Sequence, residues 1–545
     1  MHRTTPIAFL LALVVLLVPA VAPAAAQAPK VGDYYVDDSD LGFKIKMPKD
    51  WSFIPPKVDE DILIGKYNDP HPVPIPLGQS SFEIEAWLLK FDRRGEVEAA
   101  EEDDADIVIE IGGFDPIEGI IDWAEVALPG SNWHIDKQKK TKVGKIQAME
   151  YEFEGESRFD PEYKMRAYAM VYYLNPDCEV AVVFNGPGDL KKWKLKYVKA
   201  YKKMAKSLKP VDVVEPEFDP EITHIGDSPV RAKKRRELED YVRRTPGWTL
   251  YETENYFVIS HNDDKRFMKE LLERLEAIRA VYMVDYPPEK ARKSGTPESG
   301  PEVSEDGEGE EGGEDKPDGP TVRIKGLDRT TTGDVDPMEL SRTSVVRVCA
   351  NRDEYHSYGG PGGSAGYWSS WDQELVIYDT RPRSDTWLVL NHEAFHQFIY
   401  YFYGKISPHS WYNEGTGDFY SGYQYKHKKF VLKEAAWRKA TAAEMIKTGE
   451  FVPLDELVRY TQREYYGSND YGYGGGQLYA QGWSFVYFLR TGKKDCPDWN
   501  DAWDTILDTY LDTLASTSDL DKAVDKAFDG VDWDEMTAAW TAHMG

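Results

Sequence analysis

At His392-Glu393-Ala394-Phe395-His396 the chain places two histidines four residues apart, with a carboxylate directly after the first. On a helix, residues four apart lie one turn above another, so both imidazoles can aim at one ion. Glu393 projects beside them, placed to take a proton from a water rather than to bind the ion. The competing reading is a buried helix whose two histidines are each hydrogen-bonded to a neighbour. A catalytic zinc site needs a third protein donor and an open fourth position. Glu414 stands eighteen residues after His396, in Trp411-Tyr412-Asn413-Glu414-Gly415-Thr416-Gly417-Asp418. Pro408 predicts a break in the first helix, and a second helix starting near Trp411 would return the Glu414 carboxylate to the histidines. Asp418, one turn beyond Glu414, is placed to accept the remaining ring N–H of His392 or His396 and so fix its tautomer. The expected cofactor is Zn2+, held by His392, His396 and Glu414.

"HEAFH" followed by "WYNEGTGDF" resembles the gluzincins, the zinc-peptidase clan that includes thermolysin and the aminopeptidase-N family, and most of all the peptidase-MA-like proteins of exported bacterial origin. The likeness runs from about Trp248 to the C-terminus and is strongest over Asn391 to Tyr425. It implies two histidines and a downstream glutamate on zinc, Glu393 as general base, and Asp418 supporting a histidine. It also implies a tyrosine that hydrogen-bonds the oxyanion. Tyr479, in Tyr479-Ala480-Gln481-Gly482, is the candidate, with Gln481 where the aminopeptidases carry lysine and with Tyr473 and Tyr471 as competitors. The aminopeptidase segment that captures a substrate's free amine has no counterpart here. An endopeptidase is therefore favoured, with the stretch "GYWSSWDQELVIYDT" as an edge strand for an extended peptide. The alternative is a binding protein of the cell surface or periplasm that keeps this fold without turnover; hydrolysis of a non-peptide amide also stays open.

The elements that must position these residues read as an α+β fold. Alternation over Trp248–His261, a strand opening "TSVVRVCANRDEYHSY" and another over Gln373–Thr380 precede the histidine helix, and from Asp385 onward the pattern is mainly helical. Residues 246–545 form the expected peptidase-like domain. "WTLYETENYFVISH" reads as one strand, and "KRFMKELLERLEAIRAVYMVDY" as an amphipathic helix with Phe267, Leu271, Leu275 and Ile278 on one face. Residues 31–212 read as a separate α+β accessory domain. Strands are expected over Leu41–Trp51, Ser81–Phe91, Ala167–Leu174 and Glu179–Gly186, and a closing helix has lysines on its solvated face. In pattern this unit resembles small α+β domains of exported bacterial and photosystem-associated proteins. Residues 213–245 read as a linker and a charged helix. Residues 293–320 carry ten acidic residues against two lysines and are expected to be a disordered insertion.

The formal net charge of −29 makes nucleic acid a poor partner, and a peptide or protein substrate is expected instead. Residues 1–26 have the layout of a secretory signal peptide: an arginine, an apolar run from Ile7 to Val18, then Ala24-Ala25-Ala26. An exported protein, periplasmic or extracellular, follows, with no integral membrane segment after cleavage. Cys178, Cys349 and Cys496 match no zinc spacing, although one pair could form a disulfide. His409 and His427 lie near the site in sequence and are expected at the surface.

Overall fold

In a computed structural model the chain is α+β. The structure describes residues 29–545 apart from 39, 59, 61, 72, 75–80, 94–116, 158–162, 187, 189, 214–227, 246 and 293–335. The expected signal peptide and acidic insertion thus lie outside the described residues, as does most of the expected linker.

The N-terminal half is built on a seven-stranded antiparallel sheet in the order Ser52–Ile54, Leu63–Asn68, Glu85–Asp92, Cys178–Gly186, Lys164–Asn175, Ile146–Glu156, Ser131–Val143. The central strands alternate short and aromatic apolar residues, and Ala167 to Tyr172 are buried throughout. The helical segment from Leu190 to Ala205, which widens into a π turn over Trp193–Tyr197, packs on this sheet. Tyr201 stacks on Phe184 with ring centroids 4.4 Å apart and donates its hydroxyl to the Asn185 carbonyl at 2.8 Å. Lys194, Lys196, Lys199 and Lys203 are exposed, as expected for a solvated helix face, while Lys202 turns to Glu150 on the sheet.

The second half opens with the helix Pro229–Arg244, which is more than a charged linker. Arg231 and Arg235 are buried against the Glu252 carboxylate, while Leu238 and Tyr241 pack on Phe257 and Ile259. The run "WTLYETENYFVISH" forms two antiparallel strands, Thr249–Glu252 and Tyr256–Ser260, instead of one. Its polar middle turns the chain: the Asn255 side chain and amide both bond the Glu276 carboxylate. These strands begin a five-stranded sheet in the order Thr249–Glu252, Tyr256–Ser260, Ser344–Cys349, Glu374–Tyr378, Gly366–Ser369. The three central strands are parallel and nearly wholly buried, as strands covered on both faces require. Gly366–Ser369 pairs antiparallel with Glu374–Tyr378 and forms one edge. The helices Lys265–Asp285 and Arg383–Phe402 lie on the sheet. Gln397 donates to the Val345 carbonyl at 3.0 Å, and the Tyr282 hydroxyl donates to the Asn391 carbonyl at 2.6 Å. One continuous core from Tyr256 to Met544 joins sheet and helices.

Cys178, Cys349 and Cys496 are buried thiols with no disulfide among them. No helix of the described residues is long and apolar enough to cross a membrane.

Candidate metal centre

The helix Arg383–Phe402 carries His392, Glu393 and His396 in its middle, where the apolar neighbours Leu390, Ala394, Phe395, Phe398 and Ile399 face the core. The helix ends before Pro408: Gly404, at φ +70°, terminates it, and its amide bonds the Tyr401 carbonyl. A second helix then runs from Ser410 to Ser421 and crosses back over the first. Asn391 donates to the Tyr420 carbonyl at 3.3 Å and Ser421 to the Leu388 carbonyl at 3.0 Å, tying the pair together.

The crossing depends on absent side chains. A Cβ on Gly417 would stand 2.9–3.1 Å from three atoms of the His392 ring, and one on Gly415 would meet the Gly482 carbonyl oxygen at 2.5 Å. The glycines of "NEGTGD" therefore let the second helix reach both the histidine and the long helix Gly475–Asp495.

At the crossing, His392 Nε2 lies 3.1 Å and His396 Nε2 3.4 Å from the same Glu414 carboxylate oxygen. One donor atom from each of the three residues falls within 4.8 Å of the other two. Donors about 2.0–2.1 Å from a tetrahedral centre stand about 3.3 Å apart, so two of the three spacings fit zinc without rearrangement. Both outer nitrogens are engaged: His392 Nδ1 lies 3.3 Å from Asp418 and His396 Nδ1 3.0 Å from the Asn413 side-chain oxygen. With Nδ1 donating outward, each ring in its neutral form would present its Nε2 lone pair to the centre, the tautomer that a metal ligand needs. The donor set thus fits a zinc ion. Asp418 serves His392, and the neighbour of His396 is Asn413, a role that no spacing rule marks.

The same contacts couple the charges of these groups. Burial works to raise the Glu414 pKa, yet the two imidazoles outweigh it and hold this carboxyl well below its usual range. His392 is pushed the other way: burial opposes its protonated form, but Asp418 and Glu414 raise its pKa well above the ordinary imidazole value. Glu393 stands apart from the three. Burial lifts its pKa above the carboxylate norm, opposed by the imidazoles, and its carboxylate accepts the Trp368 amide of the edge strand at 2.9 Å. Arg438 backs the arrangement, with Nε 2.7 Å from Asp418 and its guanidinium over the Tyr479 ring.

Among the tyrosines, Tyr479 lies at the site, its ring stacked near His392 with centroids 6.3 Å apart. Neither Tyr473 nor Tyr471 joins it: they stack on each other, and the Tyr471 hydroxyl bonds Glu456. The phenol in direct contact with the donor set is Tyr466, which sequence reading missed. Its hydroxyl donates to Glu414 Oε1 at 2.6 Å, and the Tyr479 ring lies beside it with centroids 6.1 Å apart. Burial and the Glu414 charge raise both phenol pKa values, so both remain O–H donors. Tyr466 sits in a turn held by a Thr461/Glu464 capping box, a signal visible in "TQREYY" but pointing to local structure only. Gln481, at the position of the aminopeptidase lysine, is buried and bonds both backbone groups of Val452.

His409 is not at the surface. It is 8% exposed, and both its amide and its Nδ1 meet the Tyr510 hydroxyl, at 3.1 and 3.0 Å. Burial pushes its pKa down to about 4. His427 is exposed, in the turn of a small hairpin with φ +50°.

No protein-family model matches the chain, and no curated protein matches it. Among solved structures it is similar to a protein of unknown function from Pseudomonas aeruginosa, at 11% identity and TM-score 0.16 over 34% of this chain and 97% of that one. It is also similar to cyanobacterial PsbP from Synechocystis, at 9% identity and TM-score 0.20 over 35% of this chain and 99% of that one. A third is the Ran-binding protein Mog1p of Saccharomyces cerevisiae, at 9% identity and TM-score 0.19 over 34% and 97%. At such TM-scores these likenesses carry no functional argument, and the reading of the site rests on its own residues.

Proposed function

We propose that this protein is an exported zinc-dependent peptidase that cleaves within extended peptides. The observation that carries this reading is the convergence of His392, His396 and Glu414, with both outer imidazole nitrogens engaged and a fourth carboxylate, Glu393, standing beside them. His392, His396 and Glu414 would hold a zinc ion, which would supply Lewis acidity toward a water and a substrate carbonyl. Glu393, whose raised pKa suits a group that must both accept and release a proton, takes the proton from the attacking water and delivers it to the leaving amine. The Tyr466 and Tyr479 hydroxyls are the candidate donors to the developing oxyanion, since Tyr466 touches Glu414 and the Tyr479 ring lies beside His392. Cleavage within a chain is supported by the edge strand Gly366–Ser369, whose outer side has no paired strand among the described residues. Export is supported by the apolar run Ile7–Val18 and the alanines that follow.

The test compares the purified protein and Glu393→Gln for metal content and for hydrolysis of a mixed peptide library, with and without a chelator. Expected are stoichiometric zinc in both and a loss of turnover in the variant of ~10²–10⁴-fold, the usual range for a general base. Undiminished turnover in Glu393→Gln would overturn the mechanism. Bound zinc with no turnover in the unaltered protein would favour a non-catalytic binding protein.

A further inference from the structure

The N-terminal half touches the second half through the turn that follows the strand Ser52–Ile54. Ile54 is buried with Cys349, Tyr355, Tyr358 and Val376 on the outer side of the five-stranded sheet. The Pro56 carbonyl accepts the Tyr241 hydroxyl at 3.0 Å. Lys57 then lays its ammonium 3.8 Å from the centroid of the Tyr358 ring and 3.1 Å from Oδ2 of Asp372.

Asp372 sits in the turn between Gly366–Ser369 and Glu374–Tyr378. The oxygen that receives Lys57 also accepts the Ser369 hydroxyl at 3.0 Å, and the Asp372 amide donates back to Ser369 at 3.1 Å. This turn ends the strand that holds the general base, since the Trp368 amide is the group donated to Glu393. Gly366–Ser369 pairs over only four residues and, among the described residues, on one side. Its tip therefore depends on side-chain ties: Tyr401 donates to Gln373 at 3.2 Å from the histidine helix, and Lys57 reaches Asp372 from the N-terminal half.

We propose that the N-terminal half is a positioning element of the site, with Lys57 pinning Asp372, and through the Ser369 turn the edge strand whose Trp368 amide orients Glu393. The proposal rests on the peptidase reading for its effect on turnover, but not for its effect on the strand. A partly exposed ion pair contributes little to global stability, so the pin acts on placement. Misplacing a reacting group by about 1 Å costs up to ~10²-fold in rate.

The test uses the full chain and the variants Lys57→Met, Lys57→Arg and Asp372→Asn. Lys57→Met keeps the apolar stem over Tyr358 and removes the charge. Expected are unchanged zinc content and Tm, a fall in kcat of roughly tenfold with KM less affected, and several-fold faster hydrogen exchange at the Trp368 and Ser369 amides. Lys57→Arg restores both readouts. Asp372→Asn gives the same direction, and combining it with Lys57→Met adds little more, as coupled partners require. Unchanged exchange at Trp368 in Lys57→Met overturns the pin, whether or not the protein hydrolyses peptides. Faster exchange in a protein without turnover retains the pin and overturns the peptidase reading alone.

Discussion

The two halves of this chain bury different kinds of side chain. In the N-terminal half the sheet and its helix enclose an apolar and aromatic core, in which Tyr172 and Tyr201 give their hydroxyls to the carbonyls of Ala205 and Asn185, at 2.6 and 2.8 Å. Among its buried charges are Glu85, paired with Lys66, and Arg166, 2.8 Å from Glu154. The second half buries ionisable groups in larger number. Arg347 and Glu374 are fully enclosed on one face of its sheet, and His396, Glu414 and Asp418 lie under the crossing helices beyond the other. Withdrawing a charge from water costs several kcal/mol unless partners replace the solvent. The N-terminal half meets that cost at few positions, whereas the second half meets it at many and gathers His392, His396, Glu414 and Asp418 in one place, and that concentration marks where chemistry is to be sought.

The contrast can be tested from both sides. The largest effect is expected for His396→Ala, which removes one donor of three: bound zinc should fall from stoichiometric to near zero by elemental analysis. Retained stoichiometric metal would show that the ion sits elsewhere. In the N-terminal core, Phe184→Ala deletes the ring stacked on Tyr201, and a core aromatic truncation costs about 3–5 kcal/mol. Denaturant unfolding should show that loss while the zinc content of the folded protein stays unchanged, and zinc lost in parallel would mean the two cores are not separable.

His409 gives a smaller, pH-dependent effect. Its pKa of about 4 lies below the unfolded value of about 6.5, so the folded state holds it neutral. Its contribution is complete above about pH 6.5 and is lost as the pH falls toward 4, amounting to about 3 kcal/mol. His409→Asn should flatten the stability profile in that window, and an unchanged slope would assign the acid sensitivity to other groups. The smallest effect separates the two phenols. Tyr466→Phe should lower kcat by ~10²-fold, the scale of one oxyanion donor, and Tyr479→Phe by less. The reverse order would return the donor role to Tyr479.

Much of this molecule was legible in its sequence because the signals are local. Apolar alternation located the strands Phe43–Pro48, Glu85–Asp92, Lys164–Asn175 and Cys178–Gly186, and helical spacing located Lys265–Asp285. Reading stopped where local pattern stopped deciding. The polar middle of "WTLYETENYFVISH" is compatible with a continuous strand until Glu276 draws Asn255 into a turn. His409 looks like a surface residue until Tyr510, a hundred positions away, covers it.

The sequence by itself determined the candidate donors: helical periodicity puts His392 and His396 on one face, and Glu414 with Asp418 one turn apart on the next helix. Only the tertiary structure decided what surrounds them. Asn413 behind His396, Tyr466 on Glu414, the Gly417 gap that admits His392, and Lys57 reaching Asp372 from the other half are all contacts between distant segments. Such contacts leave no periodic trace, since a hydrogen bond across the fold constrains where two residues meet and not how far apart they lie along the chain.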